Sequence, residues 1–462
     1  MWLARILLGL GIVVLLVCAG FLIYAWHPEI ERVARPDPAA FDEPLVKKGA
    51  QLAALGNCIA CHTVPGGRSF AGGLPLPTPF GTIYSTNITP DEETGVGGWS
   101  EQAFIRAMRK GLDRDGSHLY PAFPYDHFTH VSDDDNRALY AYLMTRQSIR
   151  YTPPENELPF PFNIRLAIAG WKLLFLDEGA FQTDATRSEA WNRGAYLAEG
   201  LGHCGSCHTP RNALGAEDED RHFGGGEAEG WSAYAIDQSS PAPIPWDVEG
   251  LAFYLRRGFH PLHGVSRGPM AEVTGNLAAL PDQDIVAIAQ YVVDVMGEPT
   301  ADRRARAEQL RATFAPTDDA KVAAADSLAL PGSDEQGRGA AIYAAACASC
   351  HDSGRPPPFG GLSFFLSTAV NAPTPQNIVN VTLFGLPPAD GEASAVMPAF
   401  GSVLSDEEMV ALLQYLRGHF TNAPAWSGLS ELVLDTRSGK HYVRVLPGDG
   451  IERSPANVGA KD

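Results

Sequence analysis

The chain opens on one unbroken apolar run and then settles into a repeating helical pattern. Ile6 to Trp26 is 21 residues without a charge, long enough for a helix to cross the hydrocarbon core of a bilayer. Arg5 precedes the run, and Tyr24 and Trp26 close it, the order of a positive inner flank and interfacial aromatics. This predicts an anchor over residues 1–30, with the N-terminus inside and the bulk of the chain outside the cytoplasm. Two alternatives stay open. A cleaved signal peptide has an apolar region of about 7–15 residues, shorter than this one, and a lipoprotein signal ending at Cys18 would place a small residue where Val17 stands. Inside a span, Cys18 is an inert apolar side chain.

Beyond the anchor, apolar residues recur at helical spacing in three similar stretches. Each begins on a basic-Gly-Ala step: Lys48-Gly49-Ala50, Arg193-Gly194-Ala195 and Arg338-Gly339-Ala340. Each closes on an acid-started amphipathic helix, expected over Ser132–Thr145, Pro281–Val295 and Ser405–His419. These closing helices share Ala141-Tyr142-Leu143, Gln290-Tyr291-Val292 and Gln414-Tyr415-Leu416, an aromatic at one repeated place that predicts a common packing partner. A further short helix is expected in each, near Trp99–Gly111, Trp246–Phe259 and Pro375–Gly385, between Gly/Pro-rich loops. Strand signals are absent except for a hairpin pattern near Leu432–Val445.

Composition fits this division. At about 150 residues per domain, 462 residues suggest three. Hydrophobic residues at 45% and charged residues at 19% exclude wholesale disorder. The net charge of −19, with no Lys/Arg cluster, argues against nucleic acid as a partner.

Six of the seven cysteines form three pairs: Cys58-Ile59-Ala60-Cys61-His62, Cys204-Gly205-Ser206-Cys207-His208 and Cys347-Ala348-Ser349-Cys350-His351, with first cysteines 146 and 143 residues apart. A disulfide framework belongs to shorter chains. A thioredoxin-like pair needs a βαβ setting and no histidine. A zinc site needs a second pair near the first. Two cysteines on one helical turn followed by His is the c-type haem attachment pattern, in which both thiols add to haem vinyl groups and the His ligates iron. Three covalently bound haems c are expected, held by Cys58 and Cys61, Cys204 and Cys207, and Cys347 and Cys350, with His62, His208 and His351 as metal ligands. The fold class is then mainly α: three tandem class I cytochrome c-like domains behind an N-terminal transmembrane helix. The divisions are 40–150, a linker 151–184, 185–300, a linker 301–330, 331–425, and a tail 426–462.

The sixth ligand sets the redox role, and a Met thioether raises the potential. Met270 follows His208 by 62 residues and Met397 follows His351 by 46, each on a Gly/Pro-rich loop before the closing helix. A loop Met more often fills irregular space, but the shared place in the repeat makes both candidate ligands. The first domain departs from this: Phe123 stands at the matching place and cannot bind iron. His127 is the leading candidate there, Met108 the alternative, with His118, His130 and an open iron also possible.

The stretch Ser85-Thr86-Asn87-Ile88-Thr89-Pro90-Asp91, with His118–Tyr125 and Gly268-Pro269-Met270-Ala271-Glu272-Val273, resembles the tri-haem cytochrome c subunits of bacterial membrane-bound dehydrogenases over residues 40–420. The family serves quinoprotein alcohol dehydrogenases, flavoprotein gluconate dehydrogenases and molybdenum hydroxylases of aldehydes or N-heterocycles. The loop Pro121-Ala122-Phe123-Pro124-Tyr125, with Leu158–Asn163 and Ala169-Gly170-Trp171, is similar to the molybdenum branch. The resemblance implies an electron-transfer subunit in the bacterial inner membrane, with its bulk in the periplasm. Its partners would be a catalytic subunit carrying molybdopterin, an iron–sulfur subunit, ubiquinone and the membrane. No dinucleotide fingerprint, phosphate loop or Ser/His/Asp pattern gives the chain a substrate site of its own. A stand-alone electron shuttle and a haem enzyme with an open first iron are the other readings. Pro159–Phe181 is the most apolar stretch outside the anchor. It reads either as a packed linker helix or as a membrane-resting surface with Arg165 and Lys172 toward the headgroups.

Overall fold

The computed structural model describes residues 2–317, 335–356, 359–387, 396–441 and 443. They pack as two compact units, one drawn from Met1–Arg187 with Tyr196–His203, the other from Ser188–Ala195 with Cys204–Asp462.

In the first unit, helix α1 (Trp2–Ala25) is apolar along its length, with a mean hydropathy of 3.0 in its best window and none of that window buried. Helix α2 (Glu43–Leu55) starts where the Asp42 side chain accepts from the Leu45 amide, and it runs into the single turn α3 (Cys58–Cys61). A short antiparallel pair follows, β1 (Pro75–Thr78) and β2 (Gly81–Tyr84). Helix α4 (Glu101–Lys110) is capped by Ser100 and stopped by left-handed Gly111. The turn α5 (Tyr125–Phe128) precedes α6 (Asp133–Met144), capped by Ser132, and then α7 (Ala167–Phe175).

The second unit repeats the plan twice. Its elements begin with α8 (Glu189–Ala195), α9 (Gly205–His208) and the pair β3 (Gly226–Ala228) and β4 (Trp231–Ala233). Next come α10 (Val248–Arg257), the pair β5 (Phe259–His260) and β6 (Gly264–Val265), α11 (Pro269–Leu277), α12 (Asp282–Met296) and α13 (Ala301–Phe314). Helices α14 (Glu335–Ala346), α15 (Ala348–His351), α16 (Thr368–Asn371), α17 (Gln376–Phe384), α18 (Asp406–Phe420) and α19 (Leu429–Ser438) complete it.

Three helix crossings organise these elements: α2 on α6, α8 on α12, and α14 on α18. At each, the glycine of the basic-Gly-Ala step meets the closing helix. A Cβ at Gly49, Gly194 or Gly339 would overlap the carbonyl oxygen of Ala138, Ala287 or Ala411, and would press on the Cβ of Tyr142, Tyr291 or Tyr415. The repeated tyrosine therefore has its common partner, a bare stretch of backbone on the opening helix. The basic residue beside the glycine adds an ion pair in the first two crossings: Lys48 to Asp135 at 2.5 Å, and Arg193 to both Asp284 oxygens at 2.9 Å.

Two expectations need correction. The loops carry three short antiparallel strand pairs, because glycines such as Gly81 and Gly264, both at positive φ, permit tight reversals that helical periodicity does not reveal. The hairpin expected near Leu432–Val445 is instead α19 as far as Ser438. Leu429, Val433 and Thr436 fall at i, i+4 and i+7 and are buried on one face, and left-handed Gly428 and Gly439 bound the helix; residues 442 and 444–445 lie outside the described residues.

The crossings predict a contrast between glycines. Gly49→Val should cost about 1–3 kcal/mol or more by overpacking and lower the melting temperature of the haem-loaded chain. Gly418→Ala on α18, with nothing within 4 Å of a new Cβ, should stabilise by roughly 0.5 kcal/mol. Calorimetry of both variants checks this.

Candidate haem sites

Each Cys-x-x-Cys-His segment forms one helical turn placed directly after an opening helix, or after its bulged continuation in the second repeat. None of the six cysteines is disulfide-bonded. Burial pushes the Cys58, Cys207 and Cys347 thiols up to about 11, the opposite of the low-pKa thiolate that redox pairs and zinc sites use.

The three histidines share one arrangement. Nδ1 of His62 lies 2.6 Å from the Thr86 carbonyl, Nδ1 of His208 lies 2.6 Å from the Tyr234 carbonyl, and Nδ1 of His351 lies 2.6 Å from the Leu362 carbonyl. A carbonyl only accepts, so Nδ1 carries the proton in each ring and Nε2 keeps its lone pair. Burial lowers all three pKa values and holds the rings neutral. A neutral, oriented imidazole presenting Nε2 is the donor that haem iron takes. The chain behind the carbonyls is fixed. Asn87 is buried, and its amide donates to the Ile149 and Tyr151 carbonyls, so the residue after Thr86 cannot drift. Phe364 stacks on His351 with centroids 4.1 Å apart.

The positions expected to offer sixth ligands also align in sequence. The middle helices end at Gly111, Gly258 and Gly385, all at positive φ. Twelve residues on stand Phe123, Met270 and Met397. Met397 is held by a two-way backbone pair with Leu386, at 2.8 and 2.9 Å. Met270 departs from the expected loop position: it sits in the first turn of α11, because Pro269 favours a helical start. Gly268 ahead of it (φ 55, ψ −143) packs so closely on Trp231 that any Cβ would enter the indole.

The candidates in the first unit separate by their partners. His118 has both nitrogens engaged, Nε2 donating to the Ala25 carbonyl at 2.9 Å and Nδ1 facing Lys172 Nζ at 3.2 Å, which leaves none for iron. His130 is half-buried, its Nδ1 donating to the Gly179 carbonyl. Met108 is buried on α4 at the place that Leu255 holds on α10, three residues before the stop glycine, so packing accounts for it. His127 is buried on α5 and donates from Nδ1 to the Glu199 carbonyl at 2.7 Å, the orientation shared by the three motif histidines.

Lys172, which the sequence leaves either on a packed linker helix or toward the headgroups, is buried. Its Nζ donates to the Lys110 and Gly111 carbonyls at 2.6 Å, closing the C-terminal end of α4. The sequence hides this because a lone lysine in an apolar run reads as snorkelling outward. The carbonyls of Thr86, Tyr234 and Leu362 are equally invisible there, since a backbone acceptor leaves no mark on residue type.

Comparison with known proteins agrees with this geometry. Residues 46–147 match the cytochrome c family model, and residues 334–416 match that of cytochrome c oxidase, cbb3-type, subunit III. Helices around Cys-x-x-Cys-His turns with carbonyl-oriented histidines define a c-type cytochrome, and covalently bound haem c follows. The fructose dehydrogenase cytochrome subunit of Gluconobacter japonicus is 35% identical over 427 residues, 88% of this chain and 86% of its own length. The gluconate 2-dehydrogenase cytochrome c subunit of Pantoea cypripedii is 37% identical over 404 residues, 82% and 87% of the two chains. A nicotinate dehydrogenase subunit of Pseudomonas putida is 43% identical over 422 residues, 90% of this chain but 34% of its own length, so this chain spans about a third of that relative. The chain belongs to the cytochrome c subunits of dehydrogenases.

Burial lowers the Lys172 pKa from 10.5 to about 7. Between those values the unfolded chain binds the proton that the folded chain has released, so stability rises with pH across that window. Lys172→Met should remove this increment, checked by denaturant melts of the haem-loaded wild type and variant from about pH 6 to 9.

Proposed function

We propose that this chain is the electron-transfer subunit of a membrane-anchored dehydrogenase complex. It carries three haems c, one in each of the segments 40–150, 185–300 and 331–425, and conducts electrons from a catalytic subunit to ubiquinone. The observation that carries this reading is the threefold Cys-x-x-Cys-His turn with each His Nδ1 on a backbone carbonyl. Bound haem supplies one-electron iron chemistry. Cys58, Cys61, Cys204, Cys207, Cys347 and Cys350 hold it covalently, and His62, His208 and His351 are the proximal ligands. Met270 and Met397 complete the second and third sites and raise their potentials. His127 completes the first, which gives it a lower potential than the other two.

Helix α1 anchors the chain in the inner membrane and leaves the bulk in the periplasm, where haem c is attached. The similarity of the Pro121–Tyr125 loop to the molybdenum branch favours a molybdopterin partner with an iron–sulfur subunit, and the 43% identical nicotinate dehydrogenase subunit favours an N-heterocycle as what it oxidises. A flavoprotein or quinoprotein partner is the second reading. The near end-to-end matches to the fructose and gluconate cytochrome subunits favour it.

Purification from the native membrane distinguishes the partners: molybdenum in the co-purifying subunit supports the first reading, flavin or quinone cofactor the second, and a lone cytochrome overturns both. Pyridine haemochrome analysis should give three haems per chain, and Cys204→Ser/Cys207→Ser should give two. His127→Ala should shift the potential and spectrum of the first haem alone, and no change removes His127 as its ligand.

A further inference from the structure

Helix α7 is inside out for a helix facing water. Its one charged residue, Lys172, is 5% exposed and turned into the protein, while Leu173 and Leu174 are 65% and 69% exposed. A water-facing helix places its lysine outward and its leucines inward. The preceding turn continues the pattern. Phe160 is 78% exposed, and Phe162, Ile164 and Leu166 are exposed beside it. The neighbouring cation is exposed but tied back: Arg165 donates from Nη1 to the His118 carbonyl at 3.0 Å and lies over the Tyr120 ring. Six large apolar side chains thus line this segment, with Lys172 turned inward and the exposed Arg165 tied back to the His118 carbonyl, an array larger in kind than the scattered apolar residues of ordinary surfaces.

The patch is fixed rather than trailing. Glu157 pairs its backbone with Thr82 at 2.9 and 3.1 Å, and the Phe162 ring packs on Phe80 at 4.9 Å. Its position relative to α1 is fixed too. Gly170 lies against the Phe21 ring, and His118, which meets Lys172 through Nδ1, holds the Ala25 carbonyl through Nε2. Helix α7 therefore meets α1 over its last turn, Phe21–Ala25, the level marked by exposed Tyr24 and Trp26. That is the depth at which a span emerges from hydrocarbon into headgroups. The acidic residues Asp177 and Glu178 directly after α7 return the chain to water.

We infer that Phe160–Leu174 is a second membrane contact, an apolar foot seated in the outer boundary of the lipid bilayer beside α1. This inference rests on α1 being a span. The foot would hold the first Cys-x-x-Cys-His segment at a set height above the lipid, which a single flexible tether does not do. Lipid rather than a protein partner is the occupant because α7 abuts the last turn of α1, and the exposed polar groups of the segment, Asn163 and Arg165, suit the headgroup boundary beside an apolar face.

The test uses the full haem-loaded chain in phosphatidylethanolamine/phosphatidylglycerol liposomes. A bilayer-dissolved carbene reagent and aqueous hydroxyl radicals are applied in parallel and read by peptide mass spectrometry. Carbene labelling of Phe160–Leu174 comparable to that of α1, and several-fold above that of the lone exposed Leu434 on α19, is expected. Leu173→Glu/Leu174→Glu should lose that labelling while keeping its haem spectrum. Labelling of α1 together with hydroxyl-radical oxidation of Phe160–Leu174 would overturn the foot and leave the span standing. Protection of Phe160–Leu174 from both reagents when the partner subunit is present would overturn it in favour of a protein interface. Oxidation of α1 itself would overturn the span, and the foot with it.

Discussion

A glycine lying on a neighbouring helix's carbonyl, three times over, is the contact on which the arrangement depends. Gly49, Gly194 and Gly339 let an opening helix approach a closing helix at backbone distance, nearer than any side chain allows. Because each opening helix leads toward its Cys-x-x-Cys-His turn, this crossing decides where the cysteines and histidine stand. The tyrosine four residues along the closing helix covers the glycine from the other side. It is a local constraint with a long reach: one missing Cβ positions a motif about two helical turns downstream. The acid in the first turn of the closing helix reinforces it in two of the crossings, through Lys48 and Asp135 and through Arg193 and Asp284.

What can be read from the sequence follows from which features leave a mark on residue type. The closing helices are legible to within a residue or so because Ser132 and Ser405 are side-chain caps and the acids cluster in the first turn. The middle helices are bounded by the same logic, Ser100 and Asp247 at the start and left-handed Gly111 and Gly258 at the end. The Cys-x-x-Cys-His turns are legible because their chemistry needs those residues at that spacing. The strand pairs are not, being two to four residues long and made by turns rather than by alternation. Nor are the carbonyls that orient the histidines. The burial of Lys172 is hidden for a different reason: periodicity says that a helix has two faces but not which of them the fold will cover.

The electrostatics divide in a similar way. The chain carries a net charge of −19, while the groups that the sites need are held neutral by burial: imidazoles below their ordinary range and thiols above it. Both shifts have one cause, the cost of a charge in a poorly solvated interior. A site lined by neutral donors suits a group that brings its own charge, since no buried side-chain charge then competes with the iron.

The one break in the repeat carries the most consequence. Phe123, Met270 and Met397 stand at the same sequence distance beyond a glycine at positive φ, so the position that offers a sulfur in two places offers a hydrocarbon ring in the third. The surrounding aromatics accommodate that ring, with Phe128 at 5.3 Å and Tyr125 at 6.4 Å. The spacing from the glycine is thus retained while the sulfur is gone, and the ligand proposed for the first site comes from a different element. His127, two residues into α5 and already oriented through Nδ1, needs no change of the repeat to serve. Were His127 to ligate there as proposed, an imidazole in place of a thioether would lower the potential of that site relative to the proposed Met-ligated ones. A single substitution at a repeated position would then turn three equal carriers into a graded set.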